Sequence, residues 1–360
     1  MAPLLRFDSV LLCSSAFTVA YLGAIYLLPS TRISLPASSK LARTAPQSDA
    51  STAVPAVDPL VAQPPAADSP PRDRNHPAVI RARLVAVSAA SLASCAAVPL
   101  LLLRADSSAA YPSWRAALPA ALRLLGFSTP TTAAAGTTTT AAASLARLVL
   151  YPLGLTASLF AGSFYVSALA GELPGQSGAR TWATWRNKFD GWRGIRTYLV
   201  GPLTEELTFR SCIVAVSALA GWSPAKIIFL TPLWFGIAHV HHAWETYVAG
   251  GRTRQALIRG ALQSTFQFAY TTIFGWYATF LFLRTGSVVP PFLAHVVCNI
   301  MGIPPLDWAL HVFPDRKKSL IGAYLSGIAA FSYGFWRWTA PALLFGAGAE
   351  GVKWAYAAGV

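Results

Sequence analysis

Residues 202–210 read Pro-Leu-Thr-Glu-Glu-Leu-Thr-Phe-Arg and put two adjacent carboxylates and an arginine into an otherwise apolar run. Residues 194–199 lead in, and 211–220 continue as Ser-Cys-Ile-Val-Ala-Val-Ser-Ala-Leu-Ala, so the whole stretch reads as a membrane helix. A charge at the centre of such a helix costs about 2.5–3.5 kcal/mol on insertion scales and rarely sits there without a task. Glu206 and Arg210 are four apart and share a helix face. Glu205 points about 100° away, toward some other partner. A buried ion pair accounts for Glu206 and Arg210. It leaves Glu205 unexplained, which makes Glu205 the candidate for chemistry.

Two further apolar stretches carry polar groups that a helical bundle does not need. His239 follows Phe235 by four residues, and His295 and Asn299 are also four apart. The chemistry these types can do together is water activation. A carboxylate withdrawn from water becomes a stronger base and can take a proton from water near neutral pH. A neighbouring histidine can share that proton, while a second histidine and an asparagine amide can donate to the oxyanion of a tetrahedral intermediate. Glu205, His239, His295 and Asn299 supply that set, with Glu206 and Arg210 in support. Each polar group could instead make a helix–helix hydrogen bond, worth about 0.6 kcal/mol on average in membranes; three such sites on one side of the membrane favour a shared active site. Zinc is the rival chemistry, with three protein ligands and a water. No HExxH is present, and neither metal nor cofactor is expected. His241 and His242 could also bind metal, but they lie at the interface and, like His311, read as polar groups at headgroup level. Cys212 and Cys298 lie near the candidates, but no charge pattern marks either as a thiolate.

The elements that must position these residues follow from composition. The 360 residues are 54% hydrophobic and only 12% charged, against about 25% charged in a soluble domain. The expected class is all-α: a polytopic membrane bundle of about eight spans, near 9–29, 84–103, 148–170, 195–219, 224–242, 261–283, 287–303 and 319–338. The first is about 21 residues, longer than a signal-peptide core, and reads as a retained helix. Residues 30–83 form a Pro/Ala/Ser-rich segment expected to be a flexible loop; 84–338 is the embedded core, with its motifs within 190–303, and 339–360 is a tail. Residues 114–127 are amphipathic, and 129–143 are a Thr/Ala/Gly run. Tryptophans 182, 185 and 192 are interleaved with basic residues in a polar loop, a signature of the membrane–water interface. The net charge of +14 is spread over the connections without a dense basic stripe, which suits anionic lipid headgroups rather than nucleic acid. The four cysteines are far apart in sequence and form no CxxC pair.

Counting Lys and Arg gives 17 in the odd-numbered loops and 7 in the even loops and ends. The odd loops are therefore expected on the cytosolic side. All four candidate catalytic residues then fall in the cytosolic half of the membrane.

Glu205-Glu206-x-x-x-Arg210, Phe235-x-x-x-His239 and His295-x-x-x-Asn299, in this order on successive apolar helices, resemble the type II CAAX prenyl endopeptidases, as does the lead-in Arg196-Thr-Tyr-Leu-Val-Gly-Pro-Leu-Thr. The resemblance covers roughly 190–303. It implies an endoplasmic reticulum enzyme that removes the last three residues from a farnesylated or geranylgeranylated CaaX protein. In that reading Glu205 and His239 activate water, and His295 and Asn299 bind the oxyanion. A non-catalytic scaffold or a proton-coupled transporter is the reading from another class. The intact set of four residues argues against the first, and the lack of an internal repeat against the second.

Overall fold

The computed structural model describes residues 4–31, 75–104, 111–127, 141–176, 179–346 and 349–356. Most of the Pro/Ala/Ser-rich segment and of the Thr/Ala/Gly run lies outside them. Among the described residues every regular element is helical.

The chain runs through α1 (Phe7–Tyr26), α2 (Pro77–Arg104), α3 (Trp114–Leu124), α4 (Ala141–Leu159), α5 (Ala161–Leu169) and α6 (Ala179–Phe189). Next comes a continuous helical run, α7 (191–219), followed by α8 (Pro224–Leu230), α9 (Pro232–Ala238), α10 (His241–Ala249), α11 (Arg254–Thr285), α12 (Val289–Met301) and α13 (Lys317–Arg337). Among the described residues, four stretches are long and apolar enough to cross a membrane: Phe7–Tyr26, Pro77–Arg104, Ala142–Leu159 and Val289–Val312.

Several expected spans differ in detail. α2 begins at Pro77 rather than near 84. The stretch expected as 148–170 is α4 and α5, jointed at Phe160. The expected helix 224–242 is broken in two at Thr231, because Pro232 has no N–H and its ring crowds the carbonyl one turn back. The polar loops 171–193 and 243–260 contain helices α6 and α10. α11 starts at Arg254, seven residues before the expected 261, because Thr253 caps it, its side chain accepting from the Ala256 N–H at 3.1 Å.

The end of α7 is the centre of the bundle. Cys212, Ile213, Val214, Ala215 and Val216 are all fully buried, and a helix that is apolar all round can only sit inside. α1, α2 and α3 pack around it, bringing Val10, Phe17, Val98 and Leu124 into the same cluster. Cys95 and Cys212, far apart in sequence, meet there with their sulfurs 3.6 Å apart, a thiol–thiol hydrogen bond rather than a disulfide. Outward faces stay apolar: Leu12 and Val19 on α1, Leu262 and Ile273 on α11, Leu325 and Ile328 on α13 are exposed.

The segment after α13 is not a loose tail where it is described. Arg284, 4% exposed, donates to the Trp336 carbonyl (3.0 Å), to Thr339 (3.3 Å) and to the Lys353 carbonyl, and lies between the rings of Trp336 and Trp354. Tyr356 donates its hydroxyl to the Leu124 carbonyl at 2.9 Å. The chain end is thereby bound to α11 and α3.

Candidate active site

α7 is not uniform. Its turns at Arg196–Val200 and Leu207–Cys212 widen to i→i+5 hydrogen bonding, with Gly201–Glu206 regular between them. The first widening follows from Pro202, whose ring would clash with the carbonyl four residues back in a regular helix. The Gly201 N–H reaches back to the Arg196 carbonyl. The next carbonyl, that of Thr197, would pair with residue 202, where proline has no N–H. Asn299 on α12 fills that gap: its Nδ2 donates to the Thr197 carbonyl at 2.8 Å.

The second widened turn holds Arg210. Its Nε lies 3.2 Å from Glu206 Oε2, and the guanidinium sits over Phe235 (4.3 Å) and Phe274 (5.5 Å). Both charges are buried, Glu206 at 0% and Arg210 at 1% exposure. Close approach of α9 and α11 forms this pocket. A Cβ on Gly275 would lie 2.5 Å from Pro232 Cβ and 3.5 Å from Arg210 Nη2, so only glycine leaves room.

Glu206 has a second partner. Its Oε1 lies 2.7 Å from His295 Nδ1, and because an ionised carboxylate only accepts, the proton of that bond belongs to Nδ1. His295 Nε2 then faces Glu205 Oε2 at 3.6 Å, beyond hydrogen-bond reach. The imidazole therefore lies between the two glutamates. Glu205 differs from Glu206 in being 24% exposed. It is the more accessible of the two carboxylates.

His239 closes α9. Its Nδ1 lies 2.8 Å from the Phe235 carbonyl. A carbonyl can only accept, so Nδ1 carries the proton and Nε2 is the basic nitrogen of the neutral ring.

Two cavities meet at these residues. The larger, about 1160 Å³, is walled mainly by aromatic side chains of α11, α13 and the chain end, among them Phe266, Phe274, Tyr277, Phe331 and Trp354. The smaller, about 350 Å³, lies against α1, α2 and the start of α7. Glu205, Phe235, His239 and Asn299 line both, while His295 lines the larger alone.

The structure therefore brings together all six residues picked from the sequence. It adds three that pattern alone did not mark. Thr197 supplies the carbonyl for Asn299, Phe274 covers Arg210 and His295 (ring centroids 4.9 Å in the latter case), and Tyr21 bonds Thr204 at 3.2 Å beside Glu205. The Pro202 backbone gap was the available signal for the first. None of Trp182, Trp185 and Trp192 lines either cavity. Cys298 lines the larger cavity and Cys212 neither.

Among the described residues, the group whose ligand atoms converge closely enough for a metal ion is His241, His242 and Glu245. Its atoms are already engaged with one another and with Tyr26: His242 Nδ1 lies 3.1 Å from Glu245 Oε2, and the Tyr26 hydroxyl donates to Glu245 Oε1 at 3.0 Å. Glu205, His239 and His295 do not form such a set. Each histidine has one nitrogen committed, His239 to a carbonyl and His295 to Glu206.

A family profile described as "Type II CAAX prenyl endopeptidase Rce1-like" matches residues 187–301. The chain is 35% identical over 266 residues to "CAAX prenyl protease 2" of Homo sapiens, covering 72% of this chain and 71% of the relative. It is 33% identical over 207 residues to "CAAX prenyl protease 2" of Arabidopsis thaliana, covering 51% and 60%. It is 55% identical over 115 residues to "Probable CAAX prenyl protease 2" of Schizosaccharomyces pombe, covering 32% and 40%. The match thus spans less than two thirds of the plant and fission-yeast relatives. No solved structure is significantly similar.

Proposed function

This chain belongs to the type II CAAX prenyl endopeptidase family, and we propose that it is a membrane-embedded endopeptidase that releases the C-terminal tripeptide from farnesylated or geranylgeranylated CaaX proteins. The observation that carries this reading is the shared wall of the two cavities. Its accessible carboxylate, basic histidine and asparagine amide lie between a large aromatic chamber and a smaller one lined in part by Arg83 and Arg196. An isoprenoid chain suits the large chamber, since burial of apolar surface is its main source of affinity.

In this mechanism Glu205 and His239 Nε2 hold a water against the carbonyl of the prenylated cysteine. Glu205 takes a proton as the water oxygen bonds to the carbonyl carbon. The negative oxygen of the tetrahedral intermediate receives hydrogen bonds from Asn299 and His295. Asn299 Nδ2 carries two hydrogens, and one is already used by Thr197. His295 donates from Nε2 in its doubly protonated form, with Glu206 and Glu205 on either side of the ring. The carbon–nitrogen bond then breaks, and the proton passes to the departing amine. Glu206 and Arg210 hold His295 in place rather than touch substrate.

We further read the protein as spanning the endoplasmic reticulum membrane about eight times, in contact with its lipids, with the site in the cytosolic half. The exposed apolar faces of α11 and α13 and the Lys/Arg asymmetry support this.

The test is cleavage of a farnesylated CaaX peptide by purified protein. Wild type is expected to release the tripeptide, with or without exhaustive chelation, and Glu205→Ala and His239→Ala to release none. Absence of release by wild type overturns the assignment. Loss on chelation with rescue by zinc would move Glu205, His239 and His295 into metal-ligand roles.

A further inference from the structure

We propose that the smaller cavity is a subsite for the free α-carboxylate at the substrate's C-terminus, read by Arg83 and Arg196; this rests on the endopeptidase reading above. Two guanidinium groups line the cavity against a single carboxylate, that of Glu205. Its field therefore favours an anion. Its volume of about 350 Å³ is at the lower end for a small-molecule site.

Both arginines are held by the fold rather than waving in solvent. Arg83 on α2 donates from Nε to the Thr31 carbonyl at 2.8 Å and lies 5.9 Å over the Tyr26 ring. Arg196 begins the widened turn of α7 and donates from Nη2 to Asn75 at 3.3 Å. The same turn presents the Thr197 carbonyl to Asn299. The geometry of the Asn299 amide and the placement of Arg196 thus derive from one local distortion. A planar guanidinium fork matches a carboxylate in a way an ammonium does not.

The placement also fits the chemistry of the bond. With the prenylcysteine side in the aromatic chamber and the scissile carbonyl at the shared wall, the three leaving residues lie on the side of Arg83 and Arg196. The one charge every such tripeptide carries, whatever its side chains, is its terminal carboxylate. A site that binds this group selects substrates by distance from the chain end, not by side-chain identity.

The experiment compares three farnesylated peptides of one sequence: free acid, C-terminal amide, and acid extended by one residue. Wild type is expected to favour the acid by roughly tenfold or more in kcat/KM, the size expected of a hydrogen bond to a charged group. In Arg83→Gln and Arg196→Gln the preference is expected to fall toward one, through KM for the acid. Arg→Lys at either position should retain an intermediate preference. Inhibition of wild type by the product tripeptide, expected to be stronger as acid than as amide, reads the same subsite without any variant. Equal cleavage of acid and amide by wild type, or an equal loss on both in the variants, overturns the subsite and leaves the endopeptidase reading intact. No cleavage of any peptide overturns that reading first.

Discussion

Asn299 donates its side-chain amide to the backbone carbonyl of Thr197, 2.8 Å away across two helices. The acceptor is open because Pro202 removes the N–H that the widened turn would have offered. Pro202→Ala restores that N–H and allows a regular turn, so the carbonyl gains an intrahelical partner and Asn299 loses its own. We expect Pro202→Ala to lower kcat about tenfold or more while the protein still elutes as a monodisperse species. Combined with Asn299→Ala, its effect should be far from additive, because both changes act on one contact. Additive losses would count against the link.

Glu206 and Arg210 form a buried pair, and such pairs punish removal of one partner more than removal of both. Arg210→Leu strands a carboxylate and is expected to cost about 3–5 kcal/mol of stability. The double variant Glu206→Leu/Arg210→Leu should recover a large part of that, measured as the thermal midpoint in detergent. It should not recover cleavage, because His295 Nδ1 then has no acceptor.

Gly275 admits Pro232 at a distance no side chain tolerates. Gly275→Val forces α9 and α11 apart beside Arg210 and should cost about 1–3 kcal/mol by overpacking. Since α9 ends at His239, cleavage should fall more steeply than stability. A variant with native turnover and an unchanged midpoint would contradict this packing.

Much of the site could be read from spacing alone. Glu206 with Arg210, and His295 with Asn299, are four apart, and helical geometry then gives each pair one face. What spacing could not supply was contact between helices. Nothing local says that Asn299 meets Thr197, a backbone group 102 residues earlier, or that Arg83 and Arg196 share a cavity. In the sequence those arginines read only as positive charge beside a membrane. The span count was harder still. α7 and the α8–α9 pair are interrupted by widened turns and prolines into pieces shorter than a span, and α11 is rich in hydroxyl and aromatic side chains, so none of them joins the four clear spans. The stretch 339–360 read as a mildly apolar tail because nothing in its sequence names the helices it meets. Its role appears only once Arg284 is seen buried against it.

That contact gives a fourth expectation. Arg284→Ala removes donors to Trp336, Thr339 and Lys353 together. Stability should drop by about 2 kcal/mol or more, the scale of hydrogen bonds made by a charged group. Trp354, which lines the aromatic chamber, should become accessible to collisional fluorescence quenchers. Unchanged quenching would mean the chain end is held by other contacts.

The wall shared by the two cavities has a thermodynamic consequence. A substrate lying across it is bivalent: each end raises the effective concentration of the other, so the two weak attachments multiply. Hydrolysis severs the tether between them. Each product is left with one attachment and neither retains the avidity of the whole. A site built this way holds its substrate more tightly than either fragment, and the act of cutting is itself what discharges it.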